Sequence, residues 1–418
     1  MSIDRQPVLA PSYVEKFSCI GPSCSDSCCA TNWRVNVDKA TYKKLIRLPT
    51  GDLSRRLKGN ILKHPTPSTL QYAELQMQSG QCPALTDDKL CGIQAEHGQS
   101  YLPKVCHSFP RYTFAAGLGH EIHLSLACPE AARLCIEDQT SGEMKAIALN
   151  APAASKLIVM GGFRVTDPNQ LRTSFPKAFT LIRTFIDRIL RTTELAVWER
   201  LLAIEFACDK IDALRRKCEG RWPEDDVEQI LLELTLSVLD GSFKERLKPI
   251  ADRSVHQALS AKFVEIMTNT RVQMGVTSAK AQQFFELVSE AFGAYNADSA
   301  SRRQSLTAVA YQPINSVAGQ AAENFLRNQI GVNNFPSLDK ISLSVQWREI
   351  VATCAMVRFY LRWLAVARGE HFTTHDAVQI IQGFSKLASH NTEFLPAMRS
   401  QLKSAGLDGA AGLVVLTQ

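Results

Sequence analysis

Apolar residues change their spacing along this chain at about residue 145. Beyond that point they recur at three- and four-residue intervals, as in Leu181, Phe185 and Ile189, which is the signature of an amphipathic helix. The spacing predicts helices over 175–191, 194–219, 226–239, 254–269, 278–294, 318–329, 342–368 and 374–390. Segment 350–367 is apolar on nearly every face and belongs at the centre of a bundle. Segment 331–336, Gly-Val-Asn-Asn-Phe-Pro, reads as a loop by its breaker residues.

Before residue 145 the helical period is short, and Gly, Pro, Ser and Cys are frequent. Asp38 is placed to cap a helix over 39–48, because a carboxylate there accepts from the free amides of a first turn. Segments 111–116 and 120–127 flank Gly117-Leu118-Gly119 and predict two strands of a hairpin. Segment 129–136 reads as helical, with Cys128 at its N-terminus. A region so short of long apolar periods has little material for a core, and bound metal is the usual staple for one. The expected fold is therefore mainly α: a cysteine-rich metal-binding module with a small β-hairpin at 1–140, then an all-helical domain at 141–418.

Composition narrows the function classes. A 45% hydrophobic, 21% charged chain is an ordinary globular protein and not a disordered one. Its 47 basic residues against 41 acidic ones, with no run of five like charges, argue against a nucleic-acid partner. The N-terminus shows no basic segment followed by an apolar one, so no secretory signal is expected. The most apolar stretch, 341–367, is interrupted by Arg348, Glu349, Arg358 and Arg362, which argues against a membrane span. A cytoplasmic protein is expected.

Twelve cysteines in a reducing compartment point to metal or redox chemistry rather than disulfides, and nine of them fall in the first third. These are Cys19, Cys24, Cys28, Cys29, Cys82, Cys91, Cys106, Cys128 and Cys135; Cys208, Cys218 and Cys354 read as ordinary buried thiols. Thiolates are soft ligands that select zinc, copper(I) or iron–sulfur clusters. A structural zinc site takes four ligands, and a cubane cluster takes four cysteines or leaves one iron open, so spacing leaves both alternatives standing. There are more thiols than one such site needs. Adjacent Cys28 and Cys29 point differently, which calls for a bystander or a second centre. Among the neighbouring histidines, His97, His107, His120 and His123, the Cys106-His107 pair is the best placed to ligate, while His120 and His123 read as hairpin surface residues. No dinucleotide or Walker signature is present, and the glycine cluster at 160–163 lacks a strand-to-helix context.

Four blocks, in order, resemble the flagellin lysine-N-methylase family. They are Phe17-Ser-Cys-Ile-Gly-Pro-Ser-Cys24 with Cys28-Cys29 and Trp33, Cys82-Pro-Ala-Leu85 with Leu90-Cys-Gly-Ile93, Cys106-His-Ser-Phe-Pro-Arg111, and Ser125-Leu-Ala-Cys-Pro-Glu-Ala-Ala-Arg133. A weaker likeness continues at Ala322-Glu-Asn-Phe-Leu-Arg-Asn328. The first three blocks also resemble small zinc- or iron-chelating proteins. What the methylase resemblance implies is transfer of a methyl group from S-adenosylmethionine to lysine ε-amino groups of flagellin, assisted by an iron–sulfur cluster of the [4Fe-4S] kind. Candidate ligands are Cys19, Cys24, Cys28, Cys29, Cys82, Cys91, Cys106 and Cys128. A lysine of pKa about 10.4 must lose a proton before it acts as a nucleophile, and Glu121, Tyr112 and Glu130 are the candidate bases. Arg111 is the candidate for holding a cofactor carboxylate. The alternatives are a non-catalytic zinc-binding structural or interaction protein, and an iron–sulfur redox or carrier protein.

Overall fold

The computed structural model describes residues 8–30, 35–117, 119–138, 140–147, 159–164, 174–250, 254–275, 279–297, 316–337, 341–388 and 391–418. Trp33 of the first motif, Leu118 of the hairpin turn, and the expected helix ends at 278 and 390 lie outside them.

Two small sheets occupy the first 164 residues. Strands β1 (Val8–Pro11), β2 (Val35–Val37), β3 (Ile61–Lys63) and β4 (Ala73–Leu75) are followed by the hairpin β5 (Arg111–Gly117) and β6 (Gly119–Leu124), then by β7 (Met144–Ile147) and β8 (Val159–Arg164). The larger sheet has the order β7-β1-β6-β5-β8, with β1 parallel to β6 and β8 parallel to β5. The smaller is the antiparallel β2-β4-β3. The expected hairpin forms with Tyr112 opposite His123 and Phe114 opposite Glu121.

Short helices connect these strands: α1 (Ser12–Glu15), α2 (Lys39–Ile46), α3 (Asp52–Asn60), α4 (Gly92–His97), α5 (Lys104–Ser108) and α6 (Pro129–Glu137). Asp38 caps α2 as its chemistry requires, accepting from the Ala40 and Thr41 amides at 3.0 and 3.1 Å. Contrary to the sequence expectation, the cysteine-rich region does build a core of its own. Val35, Val37, Leu45, Leu57, Ala73 and Leu75 are buried together, because apolar residues on two short helices and three short strands share one side. The long-period test overlooks a core assembled from such short pieces.

From residue 174 onward the described chain is helical: α7 (Ser174–Leu190), α8 (Val197–Lys217), α9 (Glu224–Leu239), α10 (Ser242–Leu247), α11 (Ser254–Gln273), α12 (Ala279–Asn296), α13 (Val317–Val332), α14 (Leu343–Arg368), α15 (Thr374–Ala388), α16 (Phe394–Ser404) and α17 (Ala410–Thr417). Helix α13 runs two residues into the segment read as a loop. The segment Leu343–His371 is long and apolar enough to cross a membrane by length and composition. It sits instead at the centre of the bundle, packed by α8, α12, α13, α15 and α17, with Trp347 and Tyr360 fully buried. The larger sheet shares this core: Val8, Ala10, Ile122 and Leu124 are buried in the same cluster as Phe325 and Trp347. Strands on both sides of residue 140 belong to that one sheet.

Helix α13 fastens the helical part to the sheet. Asn328 donates to the Tyr13 hydroxyl and to the Leu124 carbonyl, both at 2.9 Å. Asn324 donates to the Cys135 carbonyl at 2.8 Å, serving a carbonyl that the end of α6 leaves without a helical partner. Both asparagines belong to the weaker motif at 322–328.

Candidate functional site

The structure brings most of the predicted cysteines together. Cys28 and Cys29 end a loop that lies against Cys82 and Cys91; the Cys82 amide donates to the Cys29 carbonyl at 2.7 Å, and Leu85 and Cys91 form an isolated bridge. Hydrogen bonds with Cys29 pull the Cys28 thiol down to about 7 and the Cys91 thiol down to about 6, and they lower Cys82 as well. The same three bonds push Cys29 up. Loss of hydration and then the charges of Cys82, Cys91 and Cys28 push Cys106 up, although part of that residue is exposed.

A second group adjoins the first. Cys24 feels the charges of Cys19 and Cys28, and Cys128, raised to about 12 chiefly by burial, feels those of Cys24 and Cys28. Arg111 stands beside Cys128 and Cys19, with its guanidinium 5.0 Å from the centre of the Phe17 ring. Thiols lowered toward neutral pH are ready thiolates, so the donor chemistry of the first group fits a soft metal. Among the described residues, no three His, Cys, Asp or Glu side chains are arranged to hold one ion; Cys28, Cys82 and Cys91 are free thiols hydrogen-bonded with Cys29.

The loop carrying Cys24 and Cys28 is clamped from the far end of the chain. The Asp26 carboxylate accepts from Lys386 at 2.6 and 2.7 Å and from Gln382 at 2.7 Å, both on α15. Gln382 also donates to the Ala127 carbonyl, beside Cys128, at 3.1 Å.

The predicted bases are scattered. Glu130 is held by two hydrogen bonds from Arg133, at 2.8 and 2.7 Å, and is a structural partner within α6. Burial raises the Tyr112 hydroxyl, with Ser125 as its partner. Only Glu121 lines a cleft, of about 650 Å³, between the larger sheet, α7 and α13. Burial alone would raise the Glu121 carboxyl, yet Arg183 at 3.4 Å and His123 at 3.3 Å hold it down at about 2. A carboxylate that stable is a fixed negative charge and a poor proton acceptor. His123, expected at the surface, is 2% exposed, and His120 is 3% exposed, because β6 is covered on both faces. The His123 ring lies over Gly331, where a Cβ would fall 2.1 Å from Nδ1.

Sequence reasoning missed the rest of the cleft. Arg183 and Asp187 are on the polar face of α7, Arg191 directly follows that helix, and Arg327 on α13 reaches Asp187 at 3.3 Å. Only their place on the solvent side of an amphipathic pattern marked them, which is the usual signature of a surface residue. None of the cysteines lines this cleft.

The chain thus joins a thiol-rich module to a helical bundle, with a separate charged cleft between the larger sheet, α7 and α13. Residues 183–416 match the model of the FliB lysine N-methylase C-terminal domain. The match covers more than half of the chain, and the chain belongs to the FliB lysine N-methylase family; it is a methyltransferase. It is similar to a lysine-N-methylase of Salmonella typhimurium, 24% identical over 92% of both chains, and to one of Salmonella choleraesuis at the same identity and coverage. It is also similar to the flagellar biosynthetic protein FliU of Salmonella muenchen, 33% identical over 34% of this chain and 85% of that protein. No solved structure matches the chain.

Proposed function

We propose that this lysine N-methylase is cytoplasmic, acts on flagellin, takes its methyl group from S-adenosylmethionine and carries a metal centre in the cysteine module. The supporting observation is the convergence of Cys28, Cys29, Cys82 and Cys91, joined by Cys106, in a chain of this family. Cys82, Cys91, Cys106 and one of the Cys28-Cys29 pair are the residues that would hold a metal or cluster. Such a centre supplies Lewis-acid or electron-transfer chemistry when bound. In the transfer itself a neutral lysine Nζ bonds to the methyl carbon as the carbon–sulfur bond breaks, and the bonding pair stays on sulfur. The lysine proton leaves first, to water, because an ammonium has no lone pair.

The test is iron, acid-labile sulfide and zinc analysis of anaerobically purified protein, followed by a methyl-transfer assay on flagellin. About four irons and four sulfides per chain, as one cubane requires, together with methylated flagellin, would support the reading. Stoichiometric zinc without sulfide would replace the cluster by a structural ion, and unmodified flagellin would remove it as the substrate.

A further inference from the structure

The cleft between the larger sheet, α7 and α13 has the size of a small-molecule site, about 650 Å³ where such sites span about 300–1,000 Å³. Its lining carries charges of both signs. Arg183, Arg191 and Arg327 face Glu121, Asp187 and Glu143, beside an apolar wall that includes Phe179, Leu190 and Ile330.

Its polar groups are incompletely satisfied. Both contacts that hold Glu121 go to the same oxygen, Oε2. The His123 Nδ1 and Arg183 Nε atoms are buried and find no hydrogen-bond partner in the structure. Both atoms are closed off from the cleft, the Nδ1 against Gly331, so Glu121 Oε1, to which neither contact goes, is the acceptor left for a ligand.

We propose that this cleft, and not the cysteine centre, is the site for the methyl donor, S-adenosylmethionine, and for its demethylated product. The inference rests on the methyltransferase reading above. The donor is a zwitterionic amino acid joined to a nucleoside. Its carboxylate calls for guanidinium groups, its amino group and sulfonium for carboxylates, and its adenine for an apolar wall, and the cleft supplies all three. Glu121 serves as a fixed anion here, beside the Arg183 guanidinium and the His123 ring. The cleft's arginines are paired in the structure, Arg183 with Glu121 and both Arg191 and Arg327 with Asp187, so binding of the donor exchanges these partners for its carboxylate and amino groups.

The test is calorimetric binding of S-adenosylhomocysteine to the full chain, with methylation of flagellin measured on the same preparations. Glu121→Gln alters the buried anion. Thr184→Trp narrows the cleft from an exposed position on its rim and leaves the buried ion pairs intact. The expected result is weakening by about tenfold or more in both variants, and a change of less than about threefold when Cys82 and Cys91 are replaced by serine. Loss of binding in the serine variant with unchanged binding in both cleft variants would overturn the proposal and move the donor to the cysteine centre. Methylation by the wild type with cleft variants that bind normally would overturn the proposal and leave the methylase reading standing. A wild type that neither binds the product nor methylates flagellin would overturn both.

Discussion

Lys386 and Asp26 are 360 positions apart in sequence, yet the lysine Nζ lies 2.6 and 2.7 Å from the two carboxylate oxygens. Their side chains are 14% and 6% exposed, so the pair is largely withdrawn from water. Through it α15 sets the position of the loop that carries Cys24 and Cys28. Replacing Lys386 with methionine strands a buried carboxylate, and a loss of about 3 kcal/mol is expected. Asp26→Asn in the same background should recover part of that loss. Urea unfolding of the single and double variants, read as a cycle, checks the coupling.

Asn324→Ala removes the donor that serves the Cys135 carbonyl and leaves that acceptor unserved inside the core. The expected cost is about 1–3 kcal/mol. Thermal unfolding should show it, and a fall no larger than that of a neutral surface substitution would refute the role assigned to α13.

Glu205 on α8 is fully buried, and burial pushes its carboxyl up to about 7 against the pull of Arg348, with Asp209 adding to the rise. A carboxyl raised by folding takes up a proton when the chain folds. Its contribution is therefore complete below the unfolded value of about 4.3 and is lost as pH rises through the folded value. Wild-type stability should decline between about pH 5 and pH 8 more steeply than that of Glu205→Gln. Denaturant midpoints across that range give the comparison.

Cys91→Ser removes a thiol held close to neutral pH and one of the three partners of Cys29. Bound metal should fall well below that of the wild type in elemental analysis. Chelation of the wild type should lower its unfolding temperature, since metal that binds only the folded chain stabilises it. Unchanged metal content in the variant would exclude Cys91 as a ligand.

The helical part was legible because an apolar stripe at three- and four-residue spacing leaves few other ways to bury itself. Predicted bounds such as 175–191 and 342–368 fall within a residue or so of α7 and α14. The hairpin was legible from its glycines and α2 from Asp38. The larger sheet was not, because β1, β7 and β8 are four to six residues long and acquire their pairing from strands more than a hundred residues away, or from across the hairpin. The thiols announced themselves by density. The cleft did not, because Arg183, Asp187 and Arg327 become a site only when α7 and α13 meet the sheet; on a single helix they look solvated.

Strand β1 lies between β6 and β7, so the first strand among the described residues finds its two neighbours only once residues 119–147 have been made. The small core of 35–102 has no such wait. A ribosome that releases the chain from its N-terminus delivers Cys82 and Cys91 together with their own packing well before the sheet can close. The order of synthesis therefore delivers Cys82 and Cys91 on a packed core first, and leaves the Cys24–Cys28 loop to be fixed against them only when Gln382 and Lys386, near the other end of the chain, arrive to hold Asp26.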